Sequence, residues 1–446
     1  MTAADNARIT TLASNRAIHR AFAWLHLHEP QIRRWQLEAI AIPAPPFAEQ
    51  ARAQYFLEQF TTLGLTNPHI DAEGNALAEL PSLKTADSSL KGTGFSPSIT
   101  QTIEKGALAP EGNPAPSDTA PSEPWALNPN PCILLSAHLD TVFPAGTNCT
   151  PTEDGPKILA PGACDNAAGL AALLALAAAL KHAEIVPACT ILFAANVGEE
   201  GEGDLRGMKH LFNPENSPSA HRIKAAIALE GSGNEMVVDR ALGSRRLRVT
   251  VTGPGGHSWA DAGRPNPILA LSAGLLAIAR IPLPRNPRTT LNVGTISGGT
   301  SVNSIPPSAT ADLDLRSTSA TQLDRVELAI LKTLDSTITT DSLHLHIERI
   351  GNRQPGILPE SSQLHRSLRA VDRHLRLATA SRVGSTDANL PLSLGIPALA
   401  IGSGGTGWGM HTLEEGYDPT GRDLALRRIL LLILDTCTLT TDGPSR

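Results

Sequence analysis

The chain has 446 residues, 41 % hydrophobic and 18 % charged, with a net charge of −6. That length suits two or three packed domains, and the acidic balance excludes the basic footprint of a nucleic-acid binder. The five cysteines are odd in number, scattered and never in a CxxC pair. This argues against a disulfide framework or a thiolate zinc site, so any metal must be held by His, Asp and Glu.

The opening stretch, MTAADNARITTLASNRAIHR, has no apolar run behind a basic start, and the most apolar short run is Ile429 to Leu434. Neither resembles a leader or the roughly 20 apolar residues that cross a bilayer, so a cytoplasmic protein is expected. Residues 15–64 read as helical with a break at Pro43 to Pro46, and a short strand follows near 76–80. From about 83 to 131 the chain is rich in Pro, Ser, Gly and Ala. That composition predicts a long, mobile surface insertion, and no chemistry is assigned to it.

Residues 133–135 then read as a buried strand entering HLD. A GACDN turn leads into the helix AAGLAALLALAAALKHA. TILFAANV and KAAIALEG read as two further buried strands, ending at Glu199–Glu200 and at Glu230. Strands alternating with helices imply a mixed, largely parallel sheet flanked by helices, with ligands at the carboxyl ends of its strands. Between 242 and 351 the order changes to β-α-β-β-α-β, that of an inserted ferredoxin-like module. The expected division is therefore 1–241 and 352–446 for a catalytic domain and 242–351 for the insert. The remainder carries the short strand PALAIG and ends in a Leu-rich helix from about Asp423.

The polar residues at these strand ends carry the chemistry. His138 and Asp140 stand two apart on an extended segment, so their side chains share a side. A metal-binding His gives its other ring N–H to a carboxylate, a role open to Asp140, which could also ligate; a turn-capping pair is the plain alternative. Asp165 suits a helix N-cap, or a carboxylate spanning two metals. Glu199 and Glu200 suit two solvated charges, or a metal ligand beside a general base. Glu230 ends a buried strand as a ligand or an ordinary charge. His257 in GPGGHSW and His411 in GWGMHTLEE follow glycines that let backbone approach closely, or are simple turn histidines.

The ordered set HLDTVFP, GACDNAAG, GEEGEGD, ALEG, GPGGHS and GMHTLEE resembles the co-catalytic di-zinc peptidases. That family includes carboxypeptidase G, peptidase T, aminoacylase, acetylornithine deacetylase and succinyl-diaminopimelate desuccinylase. The similarity runs from about Ile40 onward, outside the 83–131 insertion. It implies an α/β zinc-peptidase catalytic domain with a ferredoxin-like lid and dimerisation domain, and two Zn2+ per chain, with Co2+ and Mn2+ also suited to such ligands. His138 and Glu230 would hold one metal and Glu200 and His411 the other, with Asp165 bridging them. Glu199 would be the general base activating water, and Asp140 would orient His138. A cis peptide is implied at Asp165–Asn166. His257 would reach the active site of the partner subunit in a homodimer. Asn303, Arg316, Ser385 and Thr386 would contact substrate.

Two positions depart from parts of the family: Ala167 stands where the deacylase branch has Lys, and the ligand at 230 is Glu, as in aminoacylase, rather than Asp. The implied function is hydrolysis of an amide in short peptides. N-acyl-amino-acid deacylation is the alternative within the same chemistry. A non-catalytic binding or scaffold protein on this fold is the alternative of another class, and it would be expected to lack one or more of the ligands. Substrates are expected to be small peptides or N-acyl amino acids, with no nucleic acid or membrane as partner.

Overall fold

The computed structural model describes residues 3–82, 130–338 and 342–441. All but the last two residues of the predicted 83–131 insertion lie outside them. The central strands Cys132–His138 and Thr190–Asn196 are buried along their whole length, and Ile223–Leu229 in all but one residue. Continuous apolar runs of this kind need cover on both faces, and that favours parallel pairing beneath helices. Cys132–His138 accordingly runs parallel to both of the other two, and Ala398–Ile401 runs parallel to Ile223–Leu229. Antiparallel strands finish the edges. From one edge the nine-stranded sheet reads Thr66–Ile70, Ala76–Leu80, Thr190–Asn196, Cys132–His138, Ile223–Leu229, Ala398–Ile401, Met236–Ala241 and Gly356–Ile357, with Ala380–Gly384 also on Met236–Ala241. The fold is mixed α/β.

The helix Ala167–His182 is buried from Ala167 through Leu180, against both the sheet and the amino-terminal helices. Its abundant alanine lets neighbouring backbones come close. At Gly169 any Cβ would lie 2.2 Å from Asn166 Oδ1 and 2.9 Å from the Leu229 carbonyl oxygen, so the helix start is pressed onto the sheet where the candidate ligands emerge. Asn166 caps this helix by accepting the Gly169 N–H, and Lys181 and His182 occupy the last turn, where the helix dipole favours positive charge. The Leu-rich helix Arg422–Thr441 buries Ile429 through Leu434 on the core.

Two features differ from expectation. The helical region starts at Ala3 and is cut into Ala3–Ala13, Arg16–Leu27, Glu29–Ala41 and Gln50–Thr62, with Pro30 starting a new helix just after His28. Met236–Ala241 adds a strand that a six-residue alternating segment signals only weakly. Among the described residues, no helix is long and apolar enough to cross a membrane.

A second sheet rises from the first. Its order is Thr289–Gly298, Ser308–Ser317, Gly243–Thr252, His344–Arg353, all antiparallel, backed by the helices Pro267–Ile278 and Ala320–Thr337 around a separate apolar cluster. The chain enters and leaves this unit side by side. Ser244 pairs with Arg353 in the second sheet, while Ala241 pairs with Gly356 in the first.

Candidate active site

Five of the candidate residues converge beyond the carboxyl ends of the parallel strands. His138 closes the strand Cys132–His138, Glu200 and Glu230 follow the two strands flanking it, and Asp165 sits at the start of the buried helix. His411 arrives from the loop after Thr406–Trp408, in a left-handed conformation (φ 66°). His138 Nε2 lies 3.0 Å from Asp165 Oδ1 and 3.4 Å from Glu230 Oε1. On the other side His411 Nε2 lies 3.0 Å from Asp165 Oδ2 and 3.2 Å from Glu200 Oε1. One carboxylate thus offers one oxygen to each of two imidazole–glutamate pairs. The peptide bond between Asp165 and Asn166 is cis.

The electrostatics of the cluster ask for cations. His411 is pushed up to about 10 by Asp165 and Glu200, and His138 is held well above its usual value by its carboxylate neighbours despite complete burial. Burial pushes Glu230 up to about 7, and its buried Oε2 has no hydrogen-bond partner. Burial would also raise Asp165, but the two histidines outweigh it and hold the carboxyl far below the usual range. Protons here serve where a dication could. Ligand atoms of His138, Asp165 and Glu200 lie within 4.8 Å of one another, so the residues fit a metal.

The supporting contacts are buried. His138 Nδ1 lies 3.0 Å from the backbone carbonyl of Asp140 and 3.6 Å from its carboxylate, so the nearer orienting group is the carbonyl rather than the expected side chain. The Asp140 carboxylate instead accepts the backbone N–H groups of Glu199 (3.0 Å) and Glu200 (2.6 Å), fixing the turn that carries both. From that turn the two side chains diverge: Glu200 faces His411, while Glu199 Oε1 accepts a 2.9 Å bond from Arg353, which also donates to the Glu199 carbonyl and to Ser385 Oγ. Burial keeps the Glu199 carboxyl well above its usual value despite Arg353, with Glu200 adding to the effect.

Sequence reasoning missed several of these groups. Arg353 is one, and Glu415 is another. Glu415 is 1 % exposed, and its carboxylate accepts the backbone N–H groups of Gly162 (2.9 Å), Cys164 (2.8 Å) and Asp165 (2.8 Å), holding the loop that presents Asp165. Asp204 accepts the backbone N–H of Asn352 and so ties the GEEGEGD turn to the exit of the second sheet. A carboxylate that follows the motif histidine by four residues was the one readable sign of Glu415.

The expected substrate-contacting residues divide. Arg316 and Ser385 line the pocket over the cluster, together with Arg246 and Arg353. Thr386 is buried beside them, its backbone N–H bound by Asn389 Oδ1. Asn303 and His257 stand apart from the pocket walls: His257 lies on the two-stranded ribbon Gly256–His257 and Ser304–Ile305, and Asn303, just before its second strand, accepts the Ser258 N–H through its carbonyl at 3.0 Å. His257 is exposed, and its Nδ1 accepts the N–H groups of Trp259 (3.1 Å) and Ala260 (3.3 Å), leaving Nε2 to carry the proton outward.

Known proteins resemble this chain in sequence and in fold. A probable carboxypeptidase of Paracoccidioides brasiliensis (strain Pb03) is 30 % identical over 221 residues, covering 45 % of this chain and 48 % of that protein. The chain therefore spans about half the length of the curated relatives it matches. Among solved structures, a Staphylococcus aureus tripeptidase superposes with a TM-score of 0.66 at 20 % identity, covering 92 % of this chain and 99 % of that one. The Saccharomyces cerevisiae dipeptidase Dug1p gives 0.68 at 13 % identity, covering 96 % and 99 %. These likenesses are to the fold. Residues 134–432, most of the sequence, match a single family, and on that match the chain belongs to peptidase family M20/M25/M40.

Proposed function

We propose that this chain is a two-zinc hydrolase that cleaves an amide bond in short peptides. The observation that carries the reading is the placement of His138 Nε2 and His411 Nε2, each 3.0 Å from a different oxygen of Asp165. His138 and Glu230 would hold one ion, His411 and Glu200 the other, and Asp165 would join them; Co2+ or Mn2+ would also suit these ligands. Two such ions, when bound, supply Lewis-acid polarisation of the scissile carbonyl and lower the pKa of water.

The protein's own groups do the rest. Glu199, turned away from the ligand set, takes the proton of the attacking water and returns it to the leaving amine. Its proton affinity, raised by burial, suits both halves of that transfer. Asp140 fixes its backbone and Arg353 its carboxylate. Arg316 and Ser385 line the space for substrate, with Thr386 buried beside them and Asn303 next to the ribbon that carries His257.

Residues 242–351 act as lid and dimerisation domain on the catalytic domain of residues 1–241 and 352–446. The outer face of that lid supports the dimer: Leu269 and Leu276 on its helix are 68 % and 66 % exposed, and Ile296, on the edge strand Thr289–Gly298 whose outer side is open among the described residues, is 58 % exposed. An edge strand with apolar side chains beside an apolar helix is a surface that proteins normally cover. His257 of the partner subunit would then donate from Nε2 to the developing oxyanion. The scattered, odd cysteines go with a cytoplasmic location.

The test is amine release from a mixed panel of di- and tripeptides and N-acetyl or N-succinyl amino acids, with chelator and then with added zinc. Chelator-sensitive cleavage of peptides supports the reading. Release of acetate or succinate moves the protein to the deacylase branch, and inertness with two metals bound points to an unusual substrate or revives the scaffold reading.

A further inference from the structure

A second basin, sharing no residue with the pocket over the ligand cluster, opens at the end of the helix Gln363–Leu375. It holds about 800 Å³ and is lined by Arg369, Asp372, Arg373 and Arg376, and by the turn 377–380 that leads into the strand Ala380–Gly384. The three arginines stand four and three positions apart, so they share one face over about 10 Å of helix. Arg376 ends the helix with φ 58°, where glycine is the cheaper residue, and from it the chain folds back: Arg369 Nη1 donates to the Thr379 carbonyl at 3.2 Å.

The floor of the basin is fixed from beneath. Arg428, fully buried on the carboxyl-terminal helix, donates to the two oxygens of Asp372 at 2.6 and 3.0 Å and to Thr379 Oγ1 at 2.7 Å. Asp372 is the one carboxylate of the lining, and both its oxygens are taken up by Arg428. Among the described residues, Arg369, Arg373 and Arg376 form no ion pair. The helix dipole supplies about half a negative charge at this end, against three positive ones. Like charges four apart on a helix repel, so a chain with a net charge of −6 keeps here a cluster that weakens its own helix.

We propose that this basin binds a small molecule carrying two or three linked phosphates, whose oxygens Arg369, Arg373 and Arg376 receive. A guanidinium presents a planar fork that matches phosphate oxygens two at a time, and a row of three matches charge spread along a phosphate chain. About 800 Å³ falls within the range of small-molecule sites and admits a nucleotide-sized body. None of the exposed large apolar side chains lies on the helix or in the turn after it, so the face has nothing to insert into a lipid surface. The binding does not depend on the two-metal reading above.

The experiment titrates ATP, tripolyphosphate, AMP and adenosine into the full zinc-loaded chain by calorimetry, with magnesium in excess so that the polyphosphates leave the zinc in place. ATP and tripolyphosphate should bind alike and at least about tenfold more tightly than AMP, and adenosine should not bind. R373Q/R376Q should weaken ATP at least about tenfold, and R373K/R376K, which keeps the charge without the fork, should fall between. R246Q, in the other pocket, should leave ATP affinity unchanged. Circular dichroism and zinc analysis identify a variant that fails to fold. Full ATP binding in R373Q/R376Q, or its loss in R246Q, places the phosphates over the ligand cluster and overturns the proposal. Absence of ATP binding to the wild type at about 1 mM overturns it too. So does binding of phosphatidylserine vesicles or RNA that depends on Arg373 and Arg376 and that ATP does not displace.

Discussion

Replacing Glu415 by Gln should loosen the metal site without touching a ligand. The carboxylate, 1 % exposed, accepts three backbone N–H groups: Oε1 those of Cys164 and Asp165 at 2.8 Å, and Oε2 that of Gly162 at 2.9 Å. Glutamine keeps one oxygen, which can still accept two of these bonds, each weaker by about 1 kcal/mol once the acceptor is neutral. Its amide NH2 then confronts the third donor, and a buried N–H left unmatched costs about 1–3 kcal/mol. The expected destabilisation is therefore about 3–5 kcal/mol, read as a shift in denaturant midpoint of the zinc-loaded chain at unchanged slope. Since the loop so held presents Asp165 to both histidines, metal affinity should fall about 10- to 100-fold, as for other groups that orient ligands. Competition with a chromophoric chelator measures it. Glu414→Gln, at an exposed neighbour, should change stability by no more than about 0.5 kcal/mol. An E415Q protein with the wild-type midpoint and wild-type metal affinity would refute this account of how Asp165 is held.

Other outcomes follow from the same geometry. Glu199→Gln should keep both metals by elemental analysis while turnover drops by at least about 10²-fold, the usual share of a general base; full activity would remove Glu199 from that role. In the metal-free protein, His411 is raised from its ordinary 6.5 to about 10. A raised imidazole stabilises the fold fully below the unfolded value and loses that contribution as pH climbs through the folded one. Chelated protein should thus lose stability between about pH 6.5 and 10 relative to zinc-loaded protein, and zinc uptake near neutrality should release protons, detectable by calorimetry in buffers of different ionisation enthalpy. Ile296→Arg should shift the protein from dimer to monomer in analytical ultracentrifugation with metals retained and activity reduced; a fully active monomer would refute a role for His257 in the neighbouring subunit.

Four members of the candidate cluster were legible because they stand at abrupt transitions in the sequence. His138 ends, and Glu200 and Glu230 follow, strands that are mostly apolar and almost wholly buried, and Asp165 precedes an Ala-rich helix. The second sheet was legible in its strands Gly243–Thr252 and Ser308–Ser317, whose buried and half-buried residues alternate. Arg353, Glu415 and Arg246 carry no such local sign. Arg353 meets Glu199 across 154 positions, and Glu415 meets Asp165 across 250. A charged residue whose partner is that distant reads locally as one more solvated side chain. Asp140 shows the intermediate case: H-x-D suggested a pair, but the carboxylate chiefly serves the backbone of Glu199 and Glu200, which lies beyond the reach of spacing rules.

The side-by-side entry and exit of the second sheet bears on the order in which the chain assembles. The pairing strands of that unit all lie between Gly243 and Arg353, so it can close on its own contacts while the larger sheet still waits for Ala398–Ile401. Once it has closed, Ala241 and Gly356 are presented as neighbours, ready to pair. The larger sheet then bridges a gap of a few residues rather than a floppy loop of roughly 110, a reduction in closure entropy worth about 3 kcal/mol. A cut within the module's helices would leave that benefit largely intact, whereas a flexible spacer inserted at Leu242 would erode it, by about 0.6 kcal/mol for each doubling of the gap, and slow the folding of the strands that carry the site.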